Sequence, residues 1–291
     1  MLAQPKIAVG HSYRVHRLTT GLQFTEGPAW HPGGYLLFSD VIANRMYRLF
    51  PDTGDVEVLV NDSGFIGSDA SQLSKMVGSN GIVVDRARNI IFCQHGNHAL
   101  AYLNVNNELK FLTCLFEGKP FNSPNDLTLK SDGSIYFTDP PYGLKDEVLN
   151  PTAFQPIAGV YRFRFGRVDL LHGDLSYPNG ICFSPGERYL YVSVASGNDA
   201  GVWRFPVQED GKIGNKTLFI ETAADGLYCD SNGCLYLAAE DGIHIHDESG
   251  KSVGKIPLQE RPTNIAAGPA YSSQLFITAG SSVYLAERLD H

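Results

Sequence analysis

The sequence predicts an all-β fold, a six-bladed β-propeller, on three observations. Apolar residues alternate at period two in short runs, glycine-rich turns separate those runs, and one such unit recurs six times along 291 residues. Long helical periodicity is absent. Thirty glycines, sixteen prolines and 11% aromatics fit many short strands joined by tight turns. All-β architectures of this length often form one domain, and no linker rich in Pro, Gly or Ser divides the chain. Residues 1–291 are therefore read as one domain.

Each unit opens on a polar residue, usually followed by glycine, then an alternating strand, a turn and an aromatic-rich strand. The first is Glu26-Gly27-Pro28-Ala29-Trp30, a Pro32-Gly33-Gly34 turn, then Tyr35 to Asp40. The second runs from Asn80-Gly81 to Asp85 and continues through Ile90-Ile91-Phe92-Cys93. The third is Asn125-Asp126-Leu127-Thr128-Leu129, a Ser131-Asp132-Gly133 turn, then Ile135 to Asp139. The fourth is Asn179-Gly180-Ile181-Cys182-Phe183, then Tyr189 to Val192. The fifth runs from Asp225-Gly226 to Asp230, turns at Ser231-Asn232-Gly233, and resumes at Leu235-Tyr236-Leu237. The sixth is looser: Asn264-Ile265-Ala266-Ala267, then Gln274 to Thr278. Third strands follow in most units, as at Arg45 to Leu49, Val160 to Phe163 and Val202 to Phe205. The opening residues are spaced by roughly 40 to 55 residues, one propeller blade. Two stretches, Asn61 to Gly78 and Pro140 to Gly159, are too long for hairpin turns, and loops of that length are usually functional. They are candidates for lids over a channel mouth, with plain surface loops as the other reading.

In a radial array the innermost strand of each blade lines a central channel. Residues at one point of each strand then share one height on its wall. Here these are Glu26, Asn80, Asn125, Asn179, Asp225 and Asn264. A ring of carboxylate and amide oxygens suits a hard divalent cation, and no Cys or His stands among them to make a thiolate-type zinc site. Turn chemistry alone also favours Asn, Asp and Gly. Glu26 argues against that reading, because Glu is a poor turn former.

Composition narrows the alternatives. A net charge of -8 and scattered Lys and Arg argue against nucleic acid. The five cysteines lack metal-type pairing and read as small strand residues kept reduced. No apolar run reaches the roughly 18 residues that span a bilayer, so no membrane is expected. Met1 to Thr20 lacks a basic start followed by an apolar stretch, and the expected location is cytoplasmic, or periplasmic if a leader has been removed.

The chain resembles the senescence marker protein 30, gluconolactonase and luciferin-regenerating enzyme family, in its bacterial gluconolactonase branch, from about Glu26 to Ala286. The resemblance rests on Glu26 to His31, Phe38 to Arg45, Cys93-Gln94-His95-Gly96-Asn97, and above all Asn122 to Gly143. Tyr177 to Gly180 and Ala224-Asp225-Gly226 add to it. It implies one divalent ion, calcium first with zinc, manganese or magnesium as alternatives, held by Glu26, Asn125, Asn179 and Asp225. It also implies hydrolysis of a small sugar lactone. Two positions depart from the pattern: Ser123 stands where animal members carry Arg, and His98 replaces a usual basic residue. Both bear on substrate identity.

Lactone hydrolysis needs a polarised carbonyl and a water nucleophile, and a bound divalent ion serves both. Asp225 is expected to double as metal ligand and general base. His95, Asn97, Asp139, Tyr142 and Asn264 are the candidate contacts for sugar hydroxyls. No Gly-x-Ser-x-Gly elbow and no Ser-His-Asp signature is present. Two further readings stay open: a phosphotriesterase-like organophosphate hydrolase, and a non-catalytic binding propeller with a structural metal.

Overall fold

The apolar runs at the centre of each unit are continuous rather than alternating because each second strand is packed between two neighbouring sheets. The computed structural model describes residues 12–269 and 273–289. The start of the Met1 to Thr20 stretch lies outside them. The described residues contain six four-stranded antiparallel sheets, one two-stranded hairpin and no α-helix.

From the channel outward, blade 1 is Thr25–His31, Tyr35–Asp40, Arg45–Phe50 and Asp55–Asn61. Blade 2 is Ser79–Val84, Ile90–Gln94, Ala99–Leu103 and Leu109–Thr113. Blade 3 is Leu127–Leu129, Ile135–Asp139, Gly159–Arg164 and Arg167–His172. Blade 4 is Pro178–Phe183, Tyr189–Val194, Gly201–Pro206 and Thr217–Ile220. Blade 5 is Leu227–Cys229, Leu235–Ala239, Gly242–His246 and Ser252–Ile256. Blade 6 takes Pro262–Ala267, Gln274–Ala279 and Ser282–Leu289 from the C-terminal part of the chain, and its outermost strand, Ser12–Thr19, from the other end. Ser12 pairs with Leu289, so hydrogen bonds close the ring where no peptide bond does.

Six apolar clusters fill the six blade interfaces. In blade 1, Leu36 and Phe38 face blade 6 while Leu37 faces blade 2. In blade 2, Ile90 and Phe92 face blade 1 while Ile91 and Cys93 face blade 3. Blade 3 divides likewise, with Phe137 toward blade 2 and Tyr136 toward blade 4. Both faces of such a strand are apolar because both are buried. Across the closing seam Trp30 stacks on Phe276, with ring centroids 5.4 Å apart.

Short polar stitches join the blades near the channel. Ser39 Oγ donates to Asn80 O at 2.9 Å, Thr138 Oγ1 to Asn179 O at 2.8 Å and Ser193 Oγ to Asp225 O at 2.6 Å. Each therefore runs from a second strand to the backbone of the next blade's opening residue. The two long loops brace one another. Ser74 N donates to Gly143 O at 3.0 Å, Lys145 N to Gln72 O at 2.9 Å, and Ser74 Oγ to Tyr142 O at 2.8 Å.

Candidate functional site

In four blades the opening residue sits where inner-strand pairing is irregular. Register shifts fall between Glu26 and Ala29, Ser79 and Ile82, Pro178 and Ile181, and Pro262 and Asn264. In blades 3 and 5 the inner strand starts just after Asn125 and Asp225. A bulge re-aims a side chain out of the ladder, here toward the axis. The following glycine answers to close packing, and at Gly27 also to a left-handed backbone with a φ of 55°. A Cβ on Gly27 would lie 2.0 Å from Asn80 O, and one on Gly226 would lie 2.1 Å from Asn264 Oδ1.

Five of the six opening residues line one cavity of about 520 Å³: Glu26, Asn80, Asn125, Asn179 and Asp225. The two braced loops reach the same cavity through Met76 and Tyr142. Four of the five form a head-to-tail chain. Asn80 Nδ2 donates to Asn125 Oδ1 at 2.8 Å, Asn125 Nδ2 to Asn179 Oδ1 at 2.7 Å, and Asn179 Nδ2 to Asp225 Oδ1 at 2.6 Å. The direction follows from chemistry, because an ionised carboxylate only accepts and so ends such a chain. Glu26 Oε2 accepts from Gly27 N at 2.9 Å. All five side chains are nearly fully buried.

Burial dominates the electrostatics. It pushes the Asp225 carboxyl up to about 6, with the Arg261 charge and the Asn179 hydrogen bond pulling the other way. Glu26 is raised well above the usual carboxylate range, first by burial and then by the charges of Asp225 and Asp126. His95 is pushed down to about 4 by burial, so its ring is neutral near pH 7. Its Nδ1 lies 2.9 Å from Met76 O, which places the proton there and leaves Nε2 as an acceptor facing Asn80 Nδ2 at 3.2 Å.

The donor set fits a hard cation. Two mutually repelling carboxylates and a run of amide oxygens converge, all the ring's donors are oxygen, and Asn80 Oδ1 is buried without a hydrogen-bond partner. Among the described residues no group of three His, Cys, Asp or Glu forms an alternative metal cluster.

The other candidate residues divide. His95 and Tyr142 line the cavity, and Tyr142 OH lies 3.5 Å from Asn179 Nδ2. Asn97 is instead a loop brace: its Oδ1 accepts from Ile66 N at 3.2 Å and its Nδ2 donates to Gln94 Oε1 at 3.2 Å. Asp139 is instead a backbone anchor, accepting from Asn122 N and Ser123 N at 2.8 Å each and from Asn122 Nδ2 at 3.2 Å. Asp40 accepts the Gln23 and Phe24 N–H groups at the same place in blade 1. The paired Phe-Ser-Asp and Phe-Thr-Asp ends of these strands were the available sign of a structural role. Asn264 turns toward the other mouth of the channel, where its Nδ2 donates to Asp126 Oδ2 at 3.3 Å. Ser123 and His98 also serve the backbone. Ser123 Oγ donates to Pro140 O at 2.5 Å and accepts from Gly143 N at 2.9 Å, and His98 Nδ1 lies 2.6 Å from Asn122 O.

Blade 6 contributes Arg261 to the cavity instead of Asn264, and blade 5 contributes Glu240. No motif in the sequence marked either residue.

Residues 24–281 match the model of the SMP-30/Gluconolactonase/LRE-like region. The chain is 32% identical to a gluconolactonase of Zymomonas mobilis subsp. mobilis over 91% of this chain and 79% of that protein. It is 28% identical to a 6-deoxy-6-sulfogluconolactonase of Pseudomonas putida, over 91% and 86% of the two chains. The solved gluconolactonase of Xanthomonas campestris superposes with a TM-score of 0.82 at 28% identity, over 95% of this chain and 90% of that one. At family level these relatives are lactone hydrolases. With a six-bladed propeller, an oxygen-lined cavity on its axis and a family match spanning both, the chain belongs to the SMP-30/gluconolactonase/LRE-like family.

Proposed function

We propose that this protein hydrolyses a small sugar lactone in the axial cavity, with one divalent cation, calcium first, held by Glu26, Asn125, Asn179 and Asp225. The observation that carries the reading is the convergence of two buried carboxylates and a chain of amides in a cavity of about 520 Å³. That volume lies within the range of about 300 to 1,000 Å³ common for small-ligand sites. When bound, the cation supplies positive charge that polarises an ester carbonyl and lowers the pKa of water.

The chain's own residues do the rest. Asn179 holds Asp225 through Oδ1, which leaves Oδ2 for a proton. Asp225 takes that proton from the attacking water as general base. The water oxygen bonds to the lactone carbonyl carbon and the bond from that carbon to the ring oxygen breaks. The ring oxygen leaves as a hydroxyl, carrying the proton, and the acid product gives its own proton to solvent. His95, neutral and held by Met76 O, presents a fixed ring to the cavity, and Tyr142 presents its hydroxyl.

The test is hydrolysis of a sugar-lactone panel, glucono-1,5-lactone included, by metal-stripped protein with calcium, zinc, manganese or magnesium restored one at a time. Turnover that returns with a cation and is lost in Asp225→Ala supports the reading. No cleavage of any lactone with any cation rejects it.

A further inference from the structure

The reaction proposed above turns a neutral ester into an anion, and two cationic side chains, Arg261 and Lys75, line the cavity where it forms. Arg261 stands just before the innermost strand of blade 6 and lines the same cavity as Glu26 and Asp225. Its Nη2 lies 3.8 Å from Asp225 Oδ2 and its Nε lies 3.1 Å from Glu240 Oε2. Five blades place an opening side chain in the cavity; the sixth, Asn264, points to the other mouth. Arg261 is thus the blade 6 side chain that reaches the cavity beside Asp225.

Stability does not account for this placement. The Arg261 and Glu240 side chains are 53% and 83% exposed, and an ion pair that exposed contributes little. Separation from Asp225 is too long for a hydrogen bond, so the fork of N–H donors is largely open to a ligand. Charge completes the argument. Glu26 and Asp225 balance one divalent cation, and ester hydrolysis then adds a carboxylate with no counter-charge in the ring.

We propose that Arg261, steadied by Glu240, binds the carboxylate of the aldonate product and so makes this cavity selective for sugar acids over neutral sugars. The inference rests on the lactonase reading for the source of the anion. In atoms, one water is consumed, the acyl carbon exchanges its ring oxygen for the water oxygen, and the proton lost to solvent leaves the charge that the guanidinium meets. A planar guanidinium matches a carboxylate through two parallel N–H donors.

The experiment is calorimetric titration of calcium-loaded protein with gluconate and, separately, with a neutral sugar lactam. Wild type, Arg261→Gln, Arg261→Lys and Lys75→Gln are compared, with lactone turnover measured in parallel. Arg261→Gln is expected to weaken gluconate binding by about 10- to 100-fold, the effect of losing a charge-assisted hydrogen bond. Lactam binding is expected to hold within about twofold, since no ionised group is involved. Arg261→Lys should recover part of the loss, and Lys75→Gln, which removes a charge from the same cavity wall, should cost less. Unchanged gluconate affinity in Arg261→Gln overturns the proposal, as do equal losses in Arg261→Gln and Lys75→Gln. Should wild type cleave no lactone, the lactonase reading fails separately. Gluconate binding lost in Arg261→Gln would still sustain the anion contact, and no binding to wild type would end it.

Discussion

Asn179 Nδ2 donates to Asp225 Oδ1 at 2.6 Å and is the last link of a side-chain chain that begins at Asn80. Backbone adds a second link between the same blades, since Gly180 N donates to Asp225 O at 2.9 Å. The carboxylate is thus held from two directions by the neighbouring blade. Asn179→Ala removes the side-chain link and an oxygen donor together. Turnover is expected to fall by about 10²- to 10⁴-fold, the range for losing a positioned base. Calcium is expected to raise the Tm of the wild type, and that rise should vanish in the variant. Differential scanning calorimetry with and without calcium reads the second effect independently of activity. A variant with its calcium shift intact would take Asn179 out of the ligand set.

Asp139 should matter for folding and not for substrate. Its carboxylate satisfies two backbone N–H groups and one side-chain amide of the segment that leads to Asn125. Asp139→Ala leaves these donors buried and unpaired, at a cost of about 1 to 3 kcal/mol for each one that water does not reach. Urea unfolding should show the loss, while KM of the folded variant stays near that of wild type. A raised KM with unchanged stability would restore Asp139 as a substrate contact.

Gly143 is a steric keystone of the loop that carries Tyr142. A Cβ there would lie 2.8 Å from the Cβ atoms of both His95 and Ser123, which are fixed to buried backbone. Gly143→Ala is expected to move the loop and Tyr142, because neither neighbour is the free end of a flexible side chain. The cost in stability is about 1 to 3 kcal/mol, the range for overpacking. KM for the lactone should rise, because a displacement near 1 Å can cost up to about 10²-fold. Steady-state kinetics beside thermal unfolding separate the two effects.

His98 supplies a pH dependence. Burial lowers its pKa below the ordinary value of 6.5, and its ring lies tilted against Phe154 with Nδ1 on Asn122 O. The unfolded chain takes up a proton near pH 6.5 that the folded chain declines until the pH is lower. Between those two values the unfolded state binds more protons, so the His98 contribution to stability falls as pH drops. His98→Gln, which has no such proton, should lose less stability than wild type on going from pH 7 to pH 5. Parallel urea titrations of both proteins measure the difference. Equal losses would show that His98 does not carry the effect.

Much of the architecture was legible in residues 26 to 279 because propeller strands are local. Tyr35–Asp40 pairs with Arg45–Phe50 across a four-residue turn, and such hairpins are written in short apolar runs bounded by turn residues. The opening residues were legible because repetition places them at equal heights. The glycines beside them were legible as a pattern but not in their cause, which is the approach of the next blade to Gly27 and Gly226. Asn97 and Asp139 drew attention through motif position, yet both side chains spend their hydrogen bonds on backbone, on Gln94 or on Asn122. Arg261 and Glu240 carried no pattern at all.

By itself, then, the sequence determined the number of blades, the first two strands of each and the polar residue that opens each inner strand. Those features depend on neighbours a few residues apart and on a repeat. Only the tertiary structure decided that Asn264 faces Asp126, 138 residues away, rather than the cavity of the other five. It also decided that Arg261 fills the vacated place beside Asp225, and that Ser74 ties one loop to the other at Tyr142. These contacts join residues of different blades and loops, which only the closed ring brings together. The direction of an opening side chain is set by what the adjacent blade brings against it.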